Sequence, residues 1–237
     1  MRVPTSRSVL RSVLPVLLGL TAQVAVSAAG AATVVISPVT MAISAQVQSS
    51  AMTTLINKGT TPLEFNATLM RWTQVNGEDL NVPTHDAAVN PVHFIILPGR
   101  SQVVRIGLRG RPSNGQSTYR LLLRQEPAKT APVPAADGVQ AAINPTYVFS
   151  LPLFVTSNGA QAQLHVSIER SGNGLNVVLK NTGTAHATYR NVTAALNGQD
   201  VSLGSVYVLA GSTMRLALPP RPTSVRTLVL HSTDSAQ

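Results

Sequence analysis

Short apolar runs, each followed by residues that favour a tight turn, repeat from residue 33 to residue 231. The runs are rich in Val, Leu, Ile, Thr and Tyr, and no stretch after residue 32 keeps apolar residues at helical spacing over three turns. Three dipeptides between the runs favour the dihedral angles of tight turns: Asn76-Gly77, Pro98-Gly99 and Asn114-Gly115. The pattern predicts an all-β fold.

The runs fall into two series of six to eight, a number and size typical of two immunoglobulin-like β-sandwich domains. The polar stretch Ser157-Asn158-Gly159 separates the series. We therefore expect one domain over residues 33–156 and a second over residues 160–237. A weak internal repeat agrees with this division, because an apolar strand ends at Asn-X-Gly both at Asn57-Lys58-Gly59 and at Asn181-Thr182-Gly183.

Residues 1–32 have the order of a secretory signal peptide. Arg2, Arg7 and Arg11 precede the apolar run Val13–Leu20, and small residues follow from Ser27 to Ala32. The apolar run is shorter than the roughly 20 residues that span a bilayer, so we expect cleavage and export without membrane insertion. The mature protein is therefore predicted to be exported and released.

Composition restricts how the exported chain is stabilised and what it binds. The 44% hydrophobic and 11% charged residues are typical of a folded protein. There is no cysteine, which excludes disulfides and thiolate zinc sites. Without the predicted signal peptide, 15 basic and 9 acidic residues remain, a net charge of +6 that favours acidic or carboxylate-bearing partners.

The segment from Pro127 to Asn144 is long for a loop between neighbouring sandwich strands. Inside it, Val139, Ala141 and Ile143 alternate with small or polar residues and lead into the run Tyr147–Val155. This pattern predicts a long strand whose first part has no partner in its own domain. Since an exposed apolar edge is an aggregation hazard, a protein that keeps one is expected to use it.

Together these residues resemble the PapD-like periplasmic pilus-assembly chaperones, and the resemblance covers nearly all of the chain after residue 32. The similar stretches are Ile36-Ser37-Pro38, Asn57-Lys58-Gly59, Arg71-Trp72, Ile96-Leu97-Pro98-Gly99, Gln102-Val103-Val104-Arg105-Ile106, Tyr119-Arg120-Leu121-Leu122-Leu123, Glu126-Pro127, Leu151-Pro152-Leu153-Phe154-Val155 and Leu179-Lys180-Asn181-Thr182-Gly183 with His186.

The resemblance implies that the chain stabilises pilus subunits by donor-strand complementation and delivers them to an outer-membrane usher. An immunoglobulin-like subunit lacks its last strand, and the chaperone supplies one of its own, held by main-chain hydrogen bonds and alternating side chains. The implied donor-strand residues are Val139, Ala141, Ile143, Tyr147 and Phe149. Whether the free protein self-associates through this strand stays open.

The family also implies basic residues that hold the subunit's C-terminal carboxylate in the cleft between the domains. At the positions where the best-known members carry an Arg and a Lys, this chain has Thr40 and Ser150. That departure resembles the archaic, Csu-like or spore-coat-type branch. Arg120 is the first alternative anchor, because alternation places it opposite Tyr119, Leu121 and Leu123; Lys180 and Arg170 are the others.

Three other classes of function are weaker interpretations. One stretch of the sequence contains a cluster of titratable side chains: Glu78, Asp79, His85, Asp86 and His93. These residues do not have the spacing of metal ligands. The sequence also has no Gly-X-Ser-X-Gly nucleophile turn and no phosphate-binding loop. We therefore expect no enzyme activity and no cofactor. A basic stretch from Arg100 to Arg111 lacks the aromatic residues of a nucleic-acid site. A secreted structural or adhesive sandwich protein is the remaining alternative.

Overall fold

All regular structure in the described part of the chain is β-strand, as the sequence predicts. The computed structural model describes residues 34–112, 114–127, 146–172, 174–196, 199–218, 228–231 and 234–236. No helix in these ranges is long and apolar enough to cross a membrane. The predicted signal peptide lies outside them. So do three of the predicted donor residues, Val139, Ala141 and Ile143.

The strands before residue 157 form two sheets that face each other. Sheet A has the order β1-β3-β8-β6, and sheet B has the order β2-β10-β9-β4-β5, with β7 paired to β4. The strands are β1 (Val34–Ser37), β2 (Met41–Ser44), β3 (Ser50–Asn57), β4 (Leu63–Val75), β5 (Glu78–Pro83), β6 (Ala87–Asn90), β7 (His93–Ile96), β8 (Ser101–Leu108), β9 (Gln116–Gln125) and β10 (Val148–Thr156).

The core of this first sandwich follows from alternation along its strands. In β4, Leu63, Phe65, Ala67 and Leu69 are buried at every second position, which is the period of a strand with one face in a core. In β9, Tyr119, Leu121 and Leu123 do the same. These rows meet buried residues of sheet A, namely Leu55, Val104 and Ile106.

The strands after residue 163 form a second, smaller sandwich. Sheet C has the order β11-β12-β15, and in sheet D strand β13 pairs with β14, β16 and β17. Val177, Leu179, Val192 and Val208 lie in its core. The strands are β11 (Leu164–Ser171), β12 (Gly174–Asn181), β13 (Ala187–Leu196), β14 (Gln199–Val208), β15 (Thr213–Ala217), β16 (Leu228–His231) and β17 (Asp234–Ala236). The predicted domain bounds themselves stay predictions.

Strand β5 is not among the strands that the apolar runs predict. It pairs with β4 from Val75↔Glu78 to Met70↔Pro83 across the Asn76-Gly77 turn. All six of its residues are exposed, so the strand has no buried face, and its apolar alternation is limited to Leu80 and Val82. Both turn residues have positive φ, 55° at Asn76 and 88° at Gly77, as a two-residue hairpin requires. A good turn signal therefore identifies this hairpin better than strand periodicity does.

The internal Asn-X-Gly repeat corresponds to the same structural element in both sandwiches. Asn57 and Asn181 are 0% and 1% exposed. Asn57 Nδ2 donates to the carbonyls of Thr61 and Ile96, and Asn181 Nδ2 donates to those of Ala185 and Val208. Each side-chain oxygen accepts the N–H of the glycine two residues later. Each Asn thus holds a strand end and the next loop together.

Candidate functional site

Strand β10 has one face in the first core and one face turned outward. Its alternate residues Phe149, Leu151, Leu153 and Val155 contact or belong to the core cluster. The intervening residues point away from that core and range from exposed Ser150 to buried Phe154. The strand that the sequence predicted over Tyr147–Val155 is therefore present, with a regular alternation of faces.

Along its first edge, β10 is fully paired. It runs antiparallel to β9 from Val148↔Arg124 to Thr156↔Gln116. Just before the strand, the N–H of Gln125 donates to the carbonyl of Tyr147 over 2.8 Å. In an antiparallel ladder, hydrogen-bonded residues alternate. Residues 147, 149, 151, 153 and 155 therefore turn their N–H and C=O groups toward β9, and the residues between them turn theirs toward the second edge.

The second edge of β10 is only half used by the described residues. Strand β2 runs parallel to it from Leu153↔Met41 to Thr156↔Ser44. From Val148 to Pro152, no described residue pairs with this edge. Val148 is 49% exposed, and Ser150 is exposed. The result is a short open edge that adjoins an occupied one on the same strand.

Of the five predicted donor residues, the structure describes Tyr147 and Phe149. Both lie on the core side of β10, where their rings stack with centroids 6.1 Å apart. Phe149 also packs 6.3 Å from the ring of Phe65 and is half-buried, while Tyr147 is 38% exposed. The aromatic row thus continues the core of the first sandwich to its outer end, beside the open edge.

From its place in the third apolar run, Trp72, the only tryptophan in the sequence, is predicted to pack in the core of the first domain, where this architecture often buries an aromatic side chain. It is buried, but the predicted place is wrong. It lies on the outer face of β4 in a separate group, the junction cluster, with Phe154, Leu209 and Tyr207. Its ring lies 5.6 Å from that of Tyr207, on β14, and 6.0 Å from that of Phe154. Trp72 is therefore buried by the second sandwich and joins the two sandwiches.

Arg120 faces away from Tyr119 and Leu121, as alternation predicts, and lies over the junction cluster. Its guanidinium carbon is 3.6 Å from the centroid of the Trp72 ring. Its Nη2 is 3.4 Å from Oδ2 of Asp79 on β5, and only 14% of the side chain is exposed. Burial lowers the pKa of Arg120, an effect that the nearby Asp79 carboxylate opposes. Arg120 thus has a structural role that the sequence did not indicate.

The other two predicted cations lie on sheet C. Lys180 is exposed on β12 and pairs in register with His165. Arg170 lies five residues further along β11, opposite Leu175. At 3.4 Å per residue this is a separation of about 17 Å along the strand. Arg170 and Lys180 therefore do not belong to one site for a single carboxylate.

Two glutamines hold the sandwiches together at this junction. Gln74 donates from Nε2 to the carbonyl of Tyr207 and accepts the N–H of Leu209 at Oε1, both over 2.9 Å. Gln116 accepts the backbone N–H of His186 over 3.0 Å and contacts its Nδ1 over 2.8 Å with the same Oε1. Because an amide oxygen only accepts, Nδ1 of His186 must carry the hydrogen. No sequence pattern predicts these contacts.

His186 makes the junction sensitive to acid. Its ring stacks on Phe154 with centroids 3.6 Å apart and planes 2° apart. Burial lowers the pKa of His186 from 6.5 to about 4. Between these two values the unfolded chain binds a proton that the folded chain does not, so stability falls as the pH falls through this range.

We expect the melting temperature to drop between pH 6.5 and pH 4, and to drop less in a His186→Gln variant, which cannot titrate there. Thermal unfolding at half-unit pH steps measures this. The matched control is His85→Gln at an exposed position. If the wild type and His186→Gln lose the same number of degrees over this range, His186 is not the group responsible.

The titratable residues considered for catalysis take separate structural roles. Asp79 contacts Arg120 and Gln74, whereas Asp86 contacts Arg71 over 2.6 Å. His93 contacts Glu64 over 2.7 Å on another part of the sheet. Across the described ranges, no three side chains of metal-binding type come together. The structure therefore does not gather these residues into one site.

No protein-family model matches the chain, and no curated protein matches it in sequence. Solved structures do match it in fold. A chain of the CsuC–CsuE chaperone–tip adhesion subunit pre-assembly complex, from the archaic chaperone-usher Csu pili of Acinetobacter baumannii, superimposes with a TM-score of 0.65. It is 19% identical, and the match covers 84% of this chain and 97% of that one.

Two further structures give the same result. The YadV chaperone has a TM-score of 0.62 at 14% identity, with 84% of this chain and 91% of that chain covered. A chain of the Salmonella enterica complex between the SafA pilin and the SafB chaperone has a TM-score of 0.58 at 15% identity, with 80% and 85% covered. The chain therefore has the fold of the PapD-like pilus-assembly chaperones, two immunoglobulin-like β-sandwiches.

Proposed function

We propose that this protein is a periplasmic chaperone that binds and stabilises pilus subunits by donor-strand complementation and delivers them to an outer-membrane usher. The observation that carries the proposal is the edge of β10 from Val148 to Pro152, with which no described residue pairs, beside the part of the same edge that β2 occupies. Open edges normally invite aggregation. In a chaperone for strand-deficient domains, the same edge is the binding site.

The side chains beside this edge support the same interpretation. Tyr147 and Phe149 extend the apolar row of the first core to the mouth of the sandwich. A subunit that lacks a strand exposes its own core along a groove. We propose that Val139, Ala141, Ile143, Tyr147 and Phe149 enter that groove, with the edge of the strand supplying the main-chain hydrogen bonds.

Arg120 is our proposed anchor for the subunit's C-terminal carboxylate, in preference to Lys180 and Arg170. Its guanidinium has five N–H donors, and one of them, at Nη2, has the contact with Asp79 described above. It lies where β9 adjoins the second sandwich, next to Pro152 in the register of β10. A planar guanidinium binds a carboxylate through two parallel hydrogen bonds.

We expect Arg120→Ala to reduce subunit recovery about tenfold or more, because it removes the charge and the paired donors. Arg120→Lys keeps the charge and should lose less. Recovery is measured as subunit that copurifies from the periplasm, normalised to folded chaperone. The control is Arg109→Ala, at an exposed position. Equal recovery from Arg109→Ala and Arg120→Ala would mean that Arg120 has only its structural role.

The proposed function is tested by co-expression with a candidate fimbrial subunit. The expected result is that the subunit becomes soluble and copurifies, and that replacing Val139, Ala141 and Ile143 with Asp abolishes this while the chaperone still melts cooperatively. A subunit that aggregates equally with and without the chain would favour the alternative, a secreted structural or adhesive sandwich protein.

A further inference from the structure

Strand β2 stops pairing with β10 at a residue that cannot continue the ladder. In a parallel pair with Met41 opposite Leu153, the N–H of Met41 donates to the carbonyl of Pro152, and the N–H of Phe154 donates to the carbonyl of Met41. The next bond would run from the N–H of residue 152 to the carbonyl of Val39. Proline has no N–H, so this bond cannot form.

The chain that precedes β2 lies in the other sheet, so it does not continue along the edge of β10 beyond Pro152. Strand β1 belongs to sheet A, where Ser37 pairs with Thr54 of β3, whereas β2 belongs to sheet B. The chain crosses between the sheets at Pro38. There the hydroxyl of Thr53, which is 0% exposed, donates to the carbonyl of Pro38 over 2.8 Å. The crossing is therefore held by a buried side chain of sheet A.

The crossing and Pro152 together leave a defined set of backbone groups open. Phe149 and Leu151 direct their N–H and C=O groups to β9. Val148 and Ser150 direct theirs to the other edge, where none of the described residues receives them. The carbonyl of Pro152 is already taken by Met41. Two donors and two acceptors thus remain, all of them before Pro152.

We propose that Pro152 and Thr53 act as a boundary that divides the edge of β10 between β2 and an added strand. The inference rests on the proposed function, and the partner is an extended strand of a client subunit. That strand pairs with Val148 and Ser150 and ends at Pro152. Without the boundary, β2 would lengthen, and Val39 and Ser37 would take the carbonyl and the N–H of Ser150.

Amide hydrogen exchange in the free protein, followed by NMR, tests the boundary without any client. In the wild type, the amides of Val148 and Ser150 should exchange at least about 100-fold faster than those of Phe149 and Leu151, which are bonded to β9. In a Pro152→Ala, Thr53→Val double variant, Ser150 should exchange at least about tenfold more slowly, because β2 can now cover it. Thr54→Val, on the opposite face of β3, is the control and should change neither amide.

Two results of the exchange experiment would overturn the inference. One is protection of Val148 and Ser150 in the wild type equal to that of their neighbours, which would mean that this edge is already covered by another part of the chain or a second copy. The other is a Ser150 amide that exchanges at the wild-type rate in a folded double variant. The single variant Pro152→Ala measures the same exchange rate with Thr53 in place.

Capture of a co-expressed fimbrial subunit separates this inference from the proposed function. If the wild type captures no subunit, the proposed function fails, and the exchange pattern still decides whether the boundary exists. If the wild type captures subunit, the double variant should capture at least about tenfold less, because its lengthened β2 occupies part of the site. Equal capture by both proteins would contradict the boundary.

Discussion

Replacing Trp72 with alanine is expected to destabilise the protein by about 3–5 kcal/mol, the usual cost of removing a large buried aromatic side chain. Trp72 is 0% exposed and contacts Phe154, Tyr207 and the guanidinium of Arg120. Because these contacts join the two sandwiches, the variant should also unfold in two separate steps. Denaturant unfolding followed by two probes, one in each sandwich, measures both effects.

Two variants control for this prediction. Trp72→Phe keeps an aromatic ring and removes an indole Nε1 that has no hydrogen-bond partner among the described residues, so it should cost less than Trp72→Ala. Val75→Ala alters a 53% exposed residue of the same strand and should cost about 0.5 kcal/mol or less. A single unfolding step for Trp72→Ala with a loss below about 1 kcal/mol would show that the junction does not depend on this residue.

Asn181→Ala is expected to cost about 3 kcal/mol or more, since unpaired buried backbone groups cost about 1–3 kcal/mol each. Its side chain donates to the carbonyls of Ala185 and Val208 and accepts the N–H groups of Gly183 and Gln163. The backbone packs closely here, since a Cβ on Gly183 would collide with the carbonyl of Gln161. The loop therefore has little room to shift and pair the exposed groups in another way. Urea unfolding gives the loss directly.

The first sandwich offers a matched comparison. Asn57 has the equivalents of three of these four bonds and is as deeply buried, so Asn57→Ala should cost a similar or slightly smaller amount in that sandwich. Asn81→Ala, at an exposed position of β5, is the control and should cost about 0.5 kcal/mol or less. If Asn181→Ala and Asn81→Ala have the same stability, the loop is held by its backbone alone.

The sequence predicts the all-β class, the two series of strands and most strand positions, because burial on one face produces alternation. The same alternation, counted along β4 from Phe65, predicts the face of the strand on which Trp72 lies. Phe65 and Trp72 are seven positions apart, an odd number, so a regular strand turns them to opposite faces. Only the second sandwich explains why the outward side chain is buried. No local pattern predicts a contact with Tyr207, which lies 135 positions further along the chain.

The candidate site is also predicted only in part by the sequence. Alternation predicts that Arg120 lies on the opposite side of β9 from Tyr119, Leu121 and Leu123, and the structure has it there. The pairing of Arg120 with Asp79 and its position over Trp72 depend on β5 and β14, which approach only in the folded chain. The half-open edge of β10 depends on where β1 leaves for the other sheet, which is a property of topology.

The most direct test of the chaperone function is to mix the purified chain, without nucleotide, with a denatured fimbrial subunit that it stabilises on co-expression. Native mass spectrometry should detect a complex of one chain and one subunit, and the amides of Val148 and Ser150 should become protected from exchange in that complex. No complex, or a complex in which these two amides exchange as they do in the free chain, would contradict the account.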